Sequence, residues 1–126
     1  MKPILIIIIP LALFIGFGLF AEHYIYSSAS EITNQIEELQ AQVNNEDWTK
    51  ASKTIGHISD NWTRTRKRWN IYIDHMEVDR IDTSFTKVEK WIELEEKKDC
   101  LVELAALKQT ILHIPENEKL MIPNIL

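Results

Sequence analysis

Eighteen consecutive residues, Ile4 to Ala21, read ILIIIIPLALFIGFGLFA and carry no charge. The run has no polar face, so it cannot be one amphipathic helix of an ordinary soluble bundle. As a helix it reaches the lower limit for crossing a hydrocarbon core of about 30 Å. Pro10, Gly16 and Gly18 are tolerated in a spanning helix better than in a soluble one. The reading is a transmembrane signal anchor over residues 4–21. Its rival is a cleaved signal peptide, which would leave a secreted helical domain. A signal peptide has an apolar stretch of about 7–15 residues and a small-x-small cleavage site. This run is longer, and Leu19-Phe20-Ala21 puts a bulky residue at the first key position. Ser27-Ser28-Ala29 fits the cleavage pattern better but lies well past the run.

Orientation follows from charge. Lys2 and the terminal amine precede the run, and Glu22 follows it. Positive charge stays inside, so residues 1–3 are expected in the cytoplasm. Residues 22–126 are then expected outside, giving a single-pass protein of the cell membrane. His23, Tyr24 and Tyr26 fall where amphipathic aromatic rings suit the headgroup layer.

Lys2 is one of 14 basic residues, and the other 13 face 19 acids, so the chain beyond residue 21 carries a net charge of −6. So acidic a surface is wrong for neutralising phosphates, and nucleic acid is not an expected partner. A single cysteine, Cys100, excludes an internal disulfide and a Cys-based zinc site within one chain. Its place on an apolar helical stripe predicts a buried side chain.

From Ser27 to Ile114 there is no proline and only Gly56, and apolar residues recur at alternating steps of three and four. The first set is Ile32, Ile36, Leu39, Val43. Asn44 to Asp47 form a turn, with Asn45 the expected N-cap of the next helix. The second set is Trp48, Ala51, Ile55, Ile58, Trp62, Thr65, Trp69, Tyr72, Met76. The third is Val78, Ile81, Phe85, Val88, Ile92, out of phase with the second. A turn is therefore expected within 76–84, capped by Asp82, Thr83 or Ser84. The fourth set is Cys100, Leu104, Leu107, Ile111, Ile114, opened by Asp99 and closed by Pro115. Short connections favour antiparallel neighbours. The fold class is all-α: an N-terminal transmembrane helix followed by a small antiparallel bundle of about four helices. The segments QIEELQAQVNNEDW and KVEKWIELEEKKDC align at an offset of 52 residues, which suggests repeated hairpins of tetratricopeptide type.

The apolar anchor, the EDW turn, the stretch WTRTRKRWNIYIDHMEVDRID from Trp62 to Asp82 and the HIPENEKL ending together resemble domain-of-unknown-function family 4363. Its members are short anchored proteins of mainly spore-forming Gram-positive bacteria. The resemblance spans essentially the whole chain. The family has no established activity, so the resemblance implies architecture and no mechanism. It also implies a neighbouring integral membrane protein of YetF type as a partner.

Two clusters carry candidate chemistry. Arg64, Arg66, Lys67 and Arg68 lie between Trp62 and Trp69. A helix rising from Glu22 to Asn44 climbs about 33 Å at roughly 1.5 Å per residue, and a second helix descending as far returns to membrane level near Arg68. Arg64, Arg66, Lys67, Arg68, Trp69 and Tyr72 are therefore a candidate surface for the lipid bilayer or for a membrane protein. The competing reading is a solvated face, with both tryptophans in the core. His75, Asp79 and Asp82 stand at i, i+4 and i+7, a spacing that puts them on one face where a metal or small ligand could bind. Helix-end capping and salt bridges explain the same residues without a site. His113 suits the dipole of a helix C-terminus. The apolar stretch Leu120–Leu126 is expected to pack back on the bundle. There is no glycine-rich phosphate loop, nucleophile elbow or HExxH motif. No catalytic residue, cofactor or enzymatic activity is expected. The function implied is that of an interaction module for a membrane protein.

Overall fold

The computed structural model describes residues 2–125, with side chains through Pro115. Four helices follow in order: α1 Lys2–Asn44, α2 Trp48–Tyr72, α3 His75–Glu93 and α4 Lys97–Ile125. Among the described residues there is no strand. The helices alternate in direction. α1 and α3 each pack against both α2 and α4, so the four close into a ring around one core.

α1 is one uninterrupted helix of 43 residues. Its first half is exposed except at half-buried Gly18, and burial begins at Ala21 and continues through Ile25, Ala29, Ile32, Ile36, Leu39 and Val43. Its 18-residue apolar window has a mean hydropathy of 2.9 and is only 6% buried. A soluble core helix of that composition would be covered by the rest of the chain. α1 is therefore long and apolar enough to cross a membrane, and among the described residues little of that window is covered.

The core is made of the stripes expected from the sequence. Ile32 to Val43, Ala51 to Trp69, Val78 to Ile92 and Cys100 to Ile114 form one continuous buried cluster. The 3.6-residue helical period brings steps of three and four to one face, and four such faces meet.

The turns α1–α2 and α3–α4 have the same geometry. Glu46 and Glu95 both adopt left-handed backbone, at φ 56° and 54°. Around Glu46, the Glu46 N–H donates to Val43 O and the Asp47 N–H to Gln42 O; around Glu95, the Glu95 N–H donates to Ile92 O and the Glu96 N–H to Trp91 O. This is the Schellman helix ending, which satisfies carbonyls that the last turn would leave bare. The two turns stand 49 residues apart, and at that offset the buried positions align: Ile32 with Ile81, Ile36 with Phe85, Leu39 with Val88, Val43 with Ile92, Ala51 with Cys100, Ile55 with Leu104 and Ile58 with Leu107. The bundle is thus a tandem pair of helical hairpins. The register of 52 read from the sequence was wrong by three residues. It aligned the acids Asp47 and Asp99, and a slip of almost one helical turn still brings some apolar positions together.

Several helix boundaries also differ from expectation. Asp47, not Asn45, caps α2, its carboxylate accepting from the Lys50 N–H at 3.2 Å. The second turn falls at Ile73–Asp74, before the expected span of 76–84. Asp74 caps α3 by accepting from the Met76 N–H at 3.0 Å. Ile73 is extended and buried, so an apolar side chain is kept in the core while the backbone reverses. Met76, expected on α2, instead lies in the first turn of α3 and is exposed. α4 opens at Lys97, ahead of Asp99, and continues past Pro115 to Ile125. Proline forfeits its own backbone bond, but its φ is compatible with a helix, so it does not end one by necessity. The packing expected of Leu120–Leu126 lies outside the described side chains.

Candidate functional site

The lower end of the bundle, where α1 emerges from its apolar half, gathers most of the residues singled out from the sequence. Helical spacing brings Trp62 and Trp69 onto the core face of α2. Their rings meet edge to face, with centroids 5.3 Å apart, and Trp62 also packs on Phe85 at 5.9 Å. A buried indole N–H requires an acceptor. Trp69 Nε1 donates to Ser28 Oγ of α1 at 2.8 Å. Trp62 Nε1 donates to Asp82 Oδ1 of α3 at 2.7 Å. Ser28 in turn donates to the backbone carbonyl of Tyr24 at 2.8 Å.

Trp69 is fully buried, so it is not part of any docking surface. Its neighbourhood in sequence with basic residues was misleading, because consecutive helical residues point in different directions. For the same reason the basic cluster is divided. Arg66 turns toward α3 and pairs with Asp82 Oδ2 at 3.0 Å. Arg64 and Arg68 turn toward α1. There they line an open cleft of about 260 Å³ with Tyr24, Ser27, Ser28 and Glu31. The Arg68 guanidinium sits 5.5 Å from the centre of the Tyr24 ring. Lys67 is exposed. Tyr72 is half-buried and packs on Phe17 of the apolar segment, with ring centroids 5.7 Å apart.

His75, Asp79 and Asp82 do lie on one helix, but they are not brought together as a site. His75 Nδ1 is 3.3 Å from Asn70 Oδ1. Asp82 is engaged by Trp62 and Arg66. Asp79 lines an open groove of about 460 Å³ with Arg80, Thr83 and Lys87, and His75 is not among its walls. Among the described residues no group of three His, Cys, Asp or Glu has the geometry to hold a metal. Cys100 is buried, as expected, and burial pushes its thiol up from 9.0 to about 11. A buried thiol that stays protonated at neutral pH is a poor nucleophile.

Sequence reasoning missed Ser28 and the partnership of Asp82 with Trp62. One signal was available. Two tryptophans on a core stripe each require a buried or half-buried acceptor from a facing helix, but sequence alone cannot say which residue supplies it.

These features define a class: an all-α tandem-hairpin bundle carried on an unburied apolar N-terminal helix. The family model of the domain of unknown function DUF4363 matches residues 19–125, and the chain belongs to that family. Neither the comparison with curated proteins nor that with solved structures finds a match.

Proposed function

We propose that this protein is a membrane-anchored, non-enzymatic accessory module that presents its bundle, outside the cytoplasm, to a neighbouring integral membrane protein. The observation that carries the reading is α1. One helix runs without a break from the exposed apolar segment into the core. The bundle would then be held at a fixed height and rotation above the bilayer, not on a flexible tether. Such rigid coupling suits a part that must meet a fixed partner and adds nothing to a freely secreted domain. Cleavage after Ala29 would remove Ile25 from the core and the Ser28 acceptor from Trp69, which favours a retained anchor. Lys2 ahead of the span and Glu22 after it support a cytoplasmic N-terminus. A neighbour of YetF type is the partner suggested by the family resemblance.

The test is photo-crosslinking in cells from the exposed positions Arg64, Lys67 and Ile71 of the full chain, read by mass spectrometry. Recovery of one integral membrane protein from these positions, and not from the distal position Val102, is the expected result. Crosslinks to no specific protein would sink the proposal.

A further inference from the structure

We infer that the α2–α3 turn is a second membrane contact, dipping into the lipid interface beside α1. The inference rests on the reading of α1 as a membrane anchor. The level of the turn is set by two contacts between α1 and α2. Arg68 meets Tyr24, just above the apolar run. Four residues further down α2, Tyr72 meets Phe17, inside the apolar run and four residues below Ala21. The reversal at Ile73–Asp74 therefore lies level with the last turn of the segment that would occupy hydrocarbon.

The side chains flanking this reversal suit that depth. Ile71 is 71% exposed and Met76 65% exposed. Neither belongs to the core cluster or packs against it. Tyr72, half-buried, presents an aromatic ring with a polar tip where such rings favour the membrane boundary. Lys67 and Arg68 stand about one turn higher, at headgroup level, where long basic side chains reach anionic phosphates. Asp74 and His75 are the polar apex. A single exposed apolar residue would mean nothing. Here two flank the one turn that the fold carries down to the apolar segment. Val102 is a useful contrast, equally exposed at 71% but near the distal end of α4.

The test uses the full chain with Cys100→Ala, and with a single cysteine introduced by Leu13→Cys, Ile71→Cys, Met76→Cys or Val102→Cys. Each carries an environment-sensitive fluorophore in vesicles of phosphatidylcholine and phosphatidylglycerol. Lipids brominated along the acyl chain quench from the hydrocarbon side, and iodide quenches from water. The expected pattern is deep bromolipid quenching at 13, shallow bromolipid quenching at 71 and 76, and none at 102. Iodide quenching at 71 and 76 should be at least about threefold weaker than at 102, as for an interfacially buried group. If 13 is quenched by bromolipid while 71 and 76 behave like 102, the inference is overturned and the anchor stands. If 13 itself is open to iodide, the anchor reading fails and the inference falls with it.

Discussion

Replacing Ser28 with alanine removes one oxygen atom, but that oxygen accepts the hydrogen bond of the indole N–H of a fully buried tryptophan. A buried donor left without a partner costs about 1–3 kcal/mol. Alanine is favoured over serine in a helix interior by roughly 0.5 kcal/mol, which offsets part of the loss. The net destabilisation is therefore about 0.5–2.5 kcal/mol, centred on about 1–2 kcal/mol. For a bundle of this size that lowers the melting temperature by roughly 4–10 °C. The full chain in detergent micelles is suitable, because all four tryptophans, from Trp48 to Trp91, lie in the bundle. Their fluorescence follows bundle unfolding without reporting on the apolar half of α1. The mechanism is separated from packing by a double-mutant cycle with Trp69→Phe, which deletes the donor. Once the donor is gone, Ser28→Ala should cost little, giving a coupling of about 1 kcal/mol. Strict additivity of the two changes, or no destabilisation by Ser28→Ala, would refute the reasoning.

Asp82→Ala removes the acceptor of Trp62 and the partner of Arg66 and should cost about 1–3 kcal/mol, whereas Asp82→Asn keeps an acceptor and loses only a half-exposed ion pair worth about 0–1 kcal/mol; denaturant titration decides the order. Glu46→Gly and Glu95→Gly relieve left-handed backbone at two equivalent turns, and each should raise stability by roughly 0.5–1 kcal/mol in the same titration. Cys100 should resist maleimide in the native protein and react on unfolding. Its native value near 11 exceeds the ordinary 9.0. The folded state therefore holds a proton that the unfolded state releases, so its contribution to stability is full below pH 9.0 and is lost between 9.0 and about 11. Alkaline melts of Cys100→Ala should lack that loss.

The core was legible because helical periodicity is a property of spacing. The steps from Ile32 to Val43, Ala51 to Trp69, Val78 to Ile92 and Cys100 to Ile114 all lead to buried side chains. Boundaries were less legible because the local signals compete. Tyr72 and Met76 continue the step of four, yet α2 ends between them at extended Ile73, and Asp74 caps α3. Pro115 looks like a stop, yet the helix runs through it. The surface was legible only in part. The four basic residues are contiguous in sequence, but a helix disperses contiguous residues around its axis, sending Arg66 to α3 and Arg64 and Arg68 to α1. The repeat was visible as a tendency, but its register required the left-handed residues Glu46 and Glu95, which carry no glycine to announce them.

The central proposal is that α1 holds the bundle to the membrane from outside the cytoplasm. Labelling intact cells with a membrane-impermeant maleimide tests it most directly, using the full chain with Cys100→Ala and Val102→Cys. Labelling before lysis, on a protein that stays in the membrane pellet after an alkaline wash, is the expected result. Labelling only after lysis, or release of the labelled protein into the medium, would contradict it.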